Sequence, residues 1–91
     1  MELKETAKQM VSNDYKERFK AEYYQTKIRY EKLKAFNTRI EAAHLTHYKG
    51  VDAVPMPVHD CPDGLLREQQ MVMGNYLRIL EQRAVIEGIE L

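Results

Sequence analysis

The sequence has one cysteine, Cys61, and no tryptophan, and its 14 Lys and Arg balance its 14 Asp and Glu. A single cysteine excludes an internal disulfide framework. Zero net charge argues against a purely electrostatic grip on nucleic acid or an anionic membrane. No apolar run approaches the roughly 20 residues of a membrane span. The mixed-charge N-terminus lacks the apolar core of a secretory signal. We therefore predict one domain, residues 1–91.

Glycine and proline are absent from Asn13 to Thr46, where good helix formers dominate. Asp14 and Glu17 form a D-x-x-E start that is typical of a helix N-terminus. Seam residues then recur at alternating spacings of four and three, which predicts a long helix over about 14–47. These seam positions are Phe19, Tyr23, Thr26, Tyr30, Leu33, Asn37, Ile40, His44 and His47.

Residues 2–11 predict a short helix that ends at Ser12–Asp14, although one helix continuous with the long one is the alternative. Gly50, Pro55 and Pro57 mark residues 48–61 as a connector that lies on the helices. A C-terminal helix is predicted over 62–87, with Asp60 or Cys61 as its cap and Pro62 in its first turn. Its buried stripe comprises Leu66, Gln69, Met73, Tyr76 or Leu77, Leu80 and Ala84.

Gly88 followed by Ile89 is typical of a Schellman ending, with Ile89 folding back on the last turn. Gly74 in the middle of this helix indicates close approach of another helix or a ligand. The fold class is thus all-α, an antiparallel helical hairpin preceded by a short helix.

Both long helices carry apolar residues outside their main seams, which predicts that the hairpin self-associates. Residues 14–41 carry a charge of about +3 and residues 60–91 about −3, counted from their Lys, Arg, Asp and Glu. This complementarity suits an antiparallel hairpin and also pairing of copies. A three-helix monomer covered by its connector is the alternative. The apolar residues concerned are Tyr15, Tyr24, Ile28, Phe36, Leu65, Val72, Ile79, Val85 and Ile86.

No sequence pattern predicts catalysis. The serines and threonines lie in no nucleophile elbow, and no glycine-rich phosphate loop is present. Four potential zinc ligands match no standard zinc-binding spacing, so we predict no metal and no cofactor. Helix-end histidines are the simpler interpretation, and whether the four side chains meet is left open. They are His44, His47, His59 and Cys61.

Four of the six tyrosines lie within residues 15–30, and arginines lie among them. Tyrosine rings stack on planar groups and arginine forks grip phosphate. Such residues at a helix–helix interface predict a site for a small, planar anion, while core packing and surface ion pairs are the alternative interpretation. The predicted ligand-binding residues are Tyr15, Arg18, Tyr23, Arg29, Gln69, Tyr76 and Arg83.

Residues 15–23 read YKERFKAEY, residues 29–33 read RYEKL, and residues 83–89 read RAVIEGI. Together with the spacing of Gln69, Met73 and Tyr76, these segments resemble a family of small helical tailed-phage proteins first noted in crAss-like phages. The resemblance covers about 75 residues. It implies a phage accessory protein in the bacterial host cytoplasm but carries no established mechanism.

Small oligomeric phage proteins often counter host defence, and one strategy is a sponge that sequesters a nucleotide messenger. The first hypothesis is therefore a homo-oligomer that binds a cyclic oligonucleotide or an ADP-ribose derivative without catalysis. The second is a helical module that binds and inhibits a host defence or regulatory protein through an exposed patch. A structural or nucleic-acid accessory role is the third, and the neutral charge counts against its nucleic-acid form.

Overall fold

The computed structural model describes all 91 residues and contains three α-helices and no strand. Helix α1 spans Leu3–Met10, α2 spans Tyr15–Thr46 and α3 spans Asp63–Glu87. A 3₁₀ segment, His47–Asp52, follows α2 directly. The all-α prediction is confirmed, and each predicted helix boundary lies within one residue of the observed one.

Helices α1 and α2 are separate, so the alternative of one continuous helix is wrong. Asp14 has extended backbone geometry and caps α2, because its carboxylate accepts a hydrogen bond of 2.9 Å from the Lys16 backbone N–H. The Ser12 hydroxyl accepts a hydrogen bond from the Asp14 N–H at 3.1 Å. Side-chain bonds therefore hold the turn between the two helices.

The start of α3 corrects the prediction that Asp60 or Cys61 caps this helix. Pro62 is the residue before the first helical one, with φ −59° and ψ 141°, and its carbonyl accepts from Leu65 and Leu66. The fixed proline φ suits either position, so the sequence could not decide between them. The other end is as predicted: Gly88 is left-handed at φ 70°, and the Ile89 N–H donates to the Ala84 carbonyl.

Helices α2 and α3 pack antiparallel along the predicted seam. Tyr15 near the start of α2 contacts Glu87 at the end of α3, and His44 at the other end contacts Asp63. The main core cluster is small, and Ile40 and Ala43 are buried farther along α2. The cluster consists of Phe19, Tyr23, Leu77, Leu80, Ala84 and Ile89.

The connector lies against the helix ends, as predicted. Pro57 is buried, and the His59 ring packs edge-on against Phe36 with ring centres 5.6 Å apart. The Thr46 hydroxyl accepts a hydrogen bond from the Val54 N–H at 2.9 Å. Val58, in contrast, remains fully exposed.

The molecule is elongated and exposes unusual amounts of surface. Its radius of gyration is 17.0 Å, whereas a compact chain of this length has about 12 Å. Its accessible surface is 6664 Å², against about 5,500 Å² for a typical monomer of this mass. The excess matches what one partner buries in a standard protein–protein interface, about 800 Å² or more.

Candidate functional site

Tyr15, Arg83 and Glu87 form a polar triad where α2 begins and α3 ends. The Tyr15 hydroxyl donates to Glu87 Oε1 at 2.8 Å, and Arg83 Nη2 donates to the Tyr15 oxygen at 2.8 Å. Arg83 Nε donates to Glu87 Oε2 at 3.1 Å. The guanidinium also lies over the Phe19 ring, 5.2 Å from its centre. The triad thus brings together two predicted site residues, and Arg83 Nη1 makes no hydrogen bond within the chain.

Charges within the triad shift its ionisation in a consistent way. The hydrogen bond to Glu87 raises the pKa of Tyr15. Hydrogen bonds from Tyr15 and then from Arg83 lower the pKa of Glu87. Near neutral pH the triad therefore contains a neutral phenol, a carboxylate and a guanidinium. The Glu87 carboxylate already accepts one of the hydrogen bonds that Arg83 can donate.

Two further predicted tyrosines each bind a glutamate on the opposite helix. The Tyr76 hydroxyl donates to Glu22, and this bond raises the pKa of Tyr76. The Tyr23 hydroxyl donates to Glu81 Oε2 at 2.6 Å. Burial, followed by the bond to Glu81, raises the pKa of Tyr23 to about 12. Tyr76 remains partly exposed, whereas Tyr23 belongs to the core.

The other predicted site residues lie apart from this cluster. Arg18 Nη1 donates to the Ser12 carbonyl at 2.8 Å, so it braces the α1–α2 turn. Arg29 is exposed and makes no side-chain bond within the chain. Gln69 borders a shallow hollow of about 400 Å³ with Leu65 and Val72. The single chain therefore does not bring all seven residues into one pocket.

Helix α3 carries a second apolar stripe that faces solvent. We call Leu65, Val72, Ile79 and Ile86 the α3 stripe. They recur every seven residues and are 56%, 60%, 45% and 83% exposed. Gln69, Tyr76 and Arg83 occupy the intervening positions, four residues after each of the first three. The resulting alternation of four and three is the seam pattern of helices that pair.

A groove on another flank of the hairpin contains residues that the sequence analysis did not assign to a site. Two hollows of about 210 and 450 Å³ meet there, and both are lined by Tyr30 and Gly74. A Cβ atom on Gly74 would lie 3.2 Å from Tyr30 Cε1. Glycine in a helix costs about 1 kcal/mol relative to alanine, and here it admits the tyrosine ring. The sequence indicated a close approach at Gly74, and the group that approaches it is the Tyr30 ring of α2. We call this feature the Tyr30 groove.

Two of the four potential zinc ligands meet, but they meet at a carboxylate. His44 Nε2 and His59 Nε2 lie 2.7 and 2.6 Å from the two oxygens of Asp63. His47 Nδ1 instead lies 2.7 Å from the His44 carbonyl, and Cys61 is exposed. No group of three or more His, Cys, Asp or Glu side chains has the arrangement of a metal site. This cluster ties the connector and α3 to the end of α2.

None of the helices combines the length and apolar content that a membrane crossing requires. Among curated proteins and among solved structures, none matches the chain significantly. A family model does match, over residues 13–86, which comprise α2, the connector and nearly all of α3. The name of that family, Sequestin, denotes sequestering, which is binding rather than catalysis. The chain belongs to the Sequestin family.

Proposed function

We propose that this protein is a phage accessory protein that counters host defence in the bacterial cytoplasm. It acts as a homo-oligomeric sponge that binds a nucleotide-derived immune signal, a cyclic oligonucleotide or an ADP-ribose derivative, without changing it chemically. Membership in a family named for sequestering supports the binding role. The resemblance to small tailed-phage proteins supports the setting.

The observation that carries this proposal is the exposed α3 stripe. Four apolar side chains on one face of a helix are expensive to leave in water, at about 25 cal/mol per Å² of apolar surface. In a symmetric dimer a second copy buries this face, and its own α3 stripe is buried in the same contact. The surface in excess of a typical monomer, described above, is about the amount that such an interface removes.

If two chains pair through the α3 stripe, polar side chains lie at the interface between them. Tyr76 and Arg83 lie between the stripe residues, and Tyr15 is bonded to Arg83. The free Nη1 of Arg83 can donate to a phosphate oxygen, and the partly exposed Tyr76 ring offers a face to a base. In this proposal the interface residues supply ligand contacts that one chain alone lacks.

Native mass spectrometry tests the assembly and the ligand together. The wild-type chain is expected as a multimer that gains mass when ADP-ribose or a cyclic dinucleotide is added. Val72→Glu puts a charge on the stripe and is expected to give monomers. Val85→Glu is the matched control, since Val85 is also exposed, at 83%, but lies off the stripe and outside the Tyr30 groove. A monomeric wild type, or equal masses for both variants, contradicts the assembly.

The second candidate function is a module that binds a host defence or regulatory protein. It is favoured by the same stripe, which in the single chain is open to solvent. This function predicts a monomer that takes up no nucleotide. It also predicts that Ile86→Glu abolishes protection of an infecting phage while Val85→Glu does not. Ile86 and Val85 are equally exposed at 83%, and only Ile86 lies on the stripe.

A further inference from the structure

The Tyr30 groove and the α3 stripe lie on different flanks of α3. At about 100° per residue, Gly74 lies about 140–160° around the helix from Val72 and Ile79, and Arg78 lies about 100–120° from them. The hollow beside the stripe shares no lining residue with the two hollows of the groove. Assembly through the stripe would therefore leave the groove of every chain open.

The Tyr30 side chain borders both hollows of the groove. Tyr30 is half-buried and packs on the core, and the missing side chain of Gly74 lets its ring lie against α3. The Tyr30 hydroxyl makes no hydrogen bond within the chain, unlike those of Tyr15, Tyr23 and Tyr76. The ring thus has an accessible face, and its hydroxyl is free to donate.

The groove also holds cations without ionic partners. Lys27 and Arg78 line its smaller hollow and Arg67 its larger one. The ion pairs of the chain are those of Asp63 with His44 and His59 and of Arg83 with Glu87, and none includes a groove cation. An anion can therefore bind these three side chains without displacing a carboxylate, as it would have to at Arg83.

Carboxylates line the groove as well, and they narrow the class of ligand. Glu31 and Glu81 border the smaller hollow and Glu41 the larger one. Glu81 accepts the hydrogen bond from Tyr23, whereas Glu31 and Glu41 make no hydrogen bond within the chain. Carboxylates repel a bare polyanion but accept hydrogen bonds from sugar hydroxyls. A ligand with a planar ring, a ribose and a phosphate uses every kind of group present.

We infer that the Tyr30 groove is a nucleotide-binding site within each chain. A base stacks on the open face of Tyr30, phosphate oxygens accept from Arg67, Arg78 or Lys27, and ribose hydroxyls donate to the groove carboxylates. The larger hollow, at about 450 Å³, has the size of a small-molecule site, and the smaller one adds about 210 Å³ beside it. The inference rests on the proposed function for its ligand class, and it assigns the ligand to this groove instead of the interface residues proposed above.

Calorimetric titration with ADP-ribose as the probe tests the phosphate contacts. The double variant Arg67→Gln/Arg78→Gln is expected to weaken binding about tenfold or more, since each charged hydrogen bond contributes more than a neutral one. Arg39→Gln is the matched control, because Arg39 is an exposed arginine that lines neither hollow of the groove and is not among the predicted site residues. Equal affinity of the double variant and the wild type overturns the inference.

Two substitutions at Tyr30 test the stacking. Tyr30→Phe keeps the ring and is expected to bind ADP-ribose within about threefold of wild type, as one neutral hydrogen bond at most is lost. Tyr30→Leu removes the ring and is expected to bind at least about fivefold more weakly. Tyr30→Leu should bind pyrophosphate, which has no base, with the same affinity as the wild type. Equal losses for both probes indicate a structural defect and overturn the stacking role.

The outcomes separate this inference from the proposed function. Binding that is lost in Arg83→Gln but retained in the double groove variant leaves the sponge intact and overturns the groove. A wild-type chain that binds neither ADP-ribose nor a cyclic dinucleotide overturns both. Binding lost only in the groove variants, with assembly unchanged, supports the groove as the ligand site.

Discussion

Asn37 is a buried polar residue in the α2–α3 seam, and its replacement is the sharpest test of how the hairpin is held. It is 2% exposed, and its Nδ2 donates to the Leu66 carbonyl at 3.1 Å and to Gln70 Oε1 at 2.9 Å. Its Oδ1 is buried without a partner. The amide therefore both stabilises and destabilises the same contact.

The two effects nearly cancel in free energy. Two hydrogen bonds contribute about 1 kcal/mol each, and one unpaired buried oxygen costs about 1–3 kcal/mol. Asn37→Leu removes both and fills the space with apolar atoms, so the free energy of unfolding should change by less than about 1 kcal/mol. Asn37→Ala also leaves a cavity and should lose about 2 kcal/mol. Asn37→Asp is nearly isosteric but turns a charge toward two acceptors, and should lose about 3 kcal/mol at pH 7.

Urea unfolding followed by circular dichroism measures these differences, and thermal midpoints should move by about 4–8 °C per kcal/mol. Burial raises the pKa of an introduced aspartate, so the Asn37→Asp deficit should shrink as pH falls toward about 4. If Asn37→Leu loses as much as Asn37→Ala, the donated hydrogen bonds dominate and the reasoning about the unpaired oxygen is refuted.

Other predictions concern the core, a cap and a pH-sensitive contact. Leu80→Ala should lower the unfolding free energy by about 2–5 kcal/mol because Leu80 is fully buried. Leu45→Ala, the exposed control outside the α3 stripe, should lose under about 0.5 kcal/mol by the same urea assay. Gly88→Ala should lose about 1 kcal/mol, because φ is 70° there; an unchanged midpoint would refute this. Hydrogen bonding to Asp63 raises the pKa of His59, and bonds with His44 and then His59 lower that of Asp63. The contact between these side chains therefore stabilises the fold fully between about pH 4 and 6.5. This stabilisation declines at lower pH as Asp63 is protonated and at higher pH as His59 loses its proton. Asp63→Asn should flatten this dependence of the urea midpoint on pH.

The fold could be predicted from the sequence because helix signals are local. The absence of glycine and proline over 13–46 and the alternating spacings of seam residues define α2, and Gly88 followed by Ile89 defines the end of α3. Each of these signals depends on backbone geometry within one or two turns. The cap of α3 was predicted wrongly, because proline suits the position before a helix as well as its first turn.

Which of the predicted site residues lie together could not be predicted from local sequence patterns. Gln69 and Tyr76 lie at the edge of the buried stripe of α3, where one helical position decides between core and surface, and both are exposed. Arg83 is long enough to reach Tyr15 or solvent, and Glu87 one turn later holds it. Composition indicates which chemistry is available, whereas tertiary contacts decide which cations stay unpaired.

The unpaired cations of the Tyr30 groove and the exposed α3 stripe have a common physical origin in the thinness of the hairpin. Two helices bury one face each, so charged and apolar groups on the remaining faces have no partner within the chain. A protein that sequesters a ligand without converting it needs one binding site for each ligand molecule. A small chain with its own groove provides such a site with little protein mass. If the stripe joins copies on one flank and the groove binds ligand on another, assembly and binding do not compete for surface. Assembly then stabilises the helices that shape the groove, by mass action. We accordingly expect Val72→Glu to weaken ligand binding through lost stability, and Arg78→Gln to weaken it with stability unchanged.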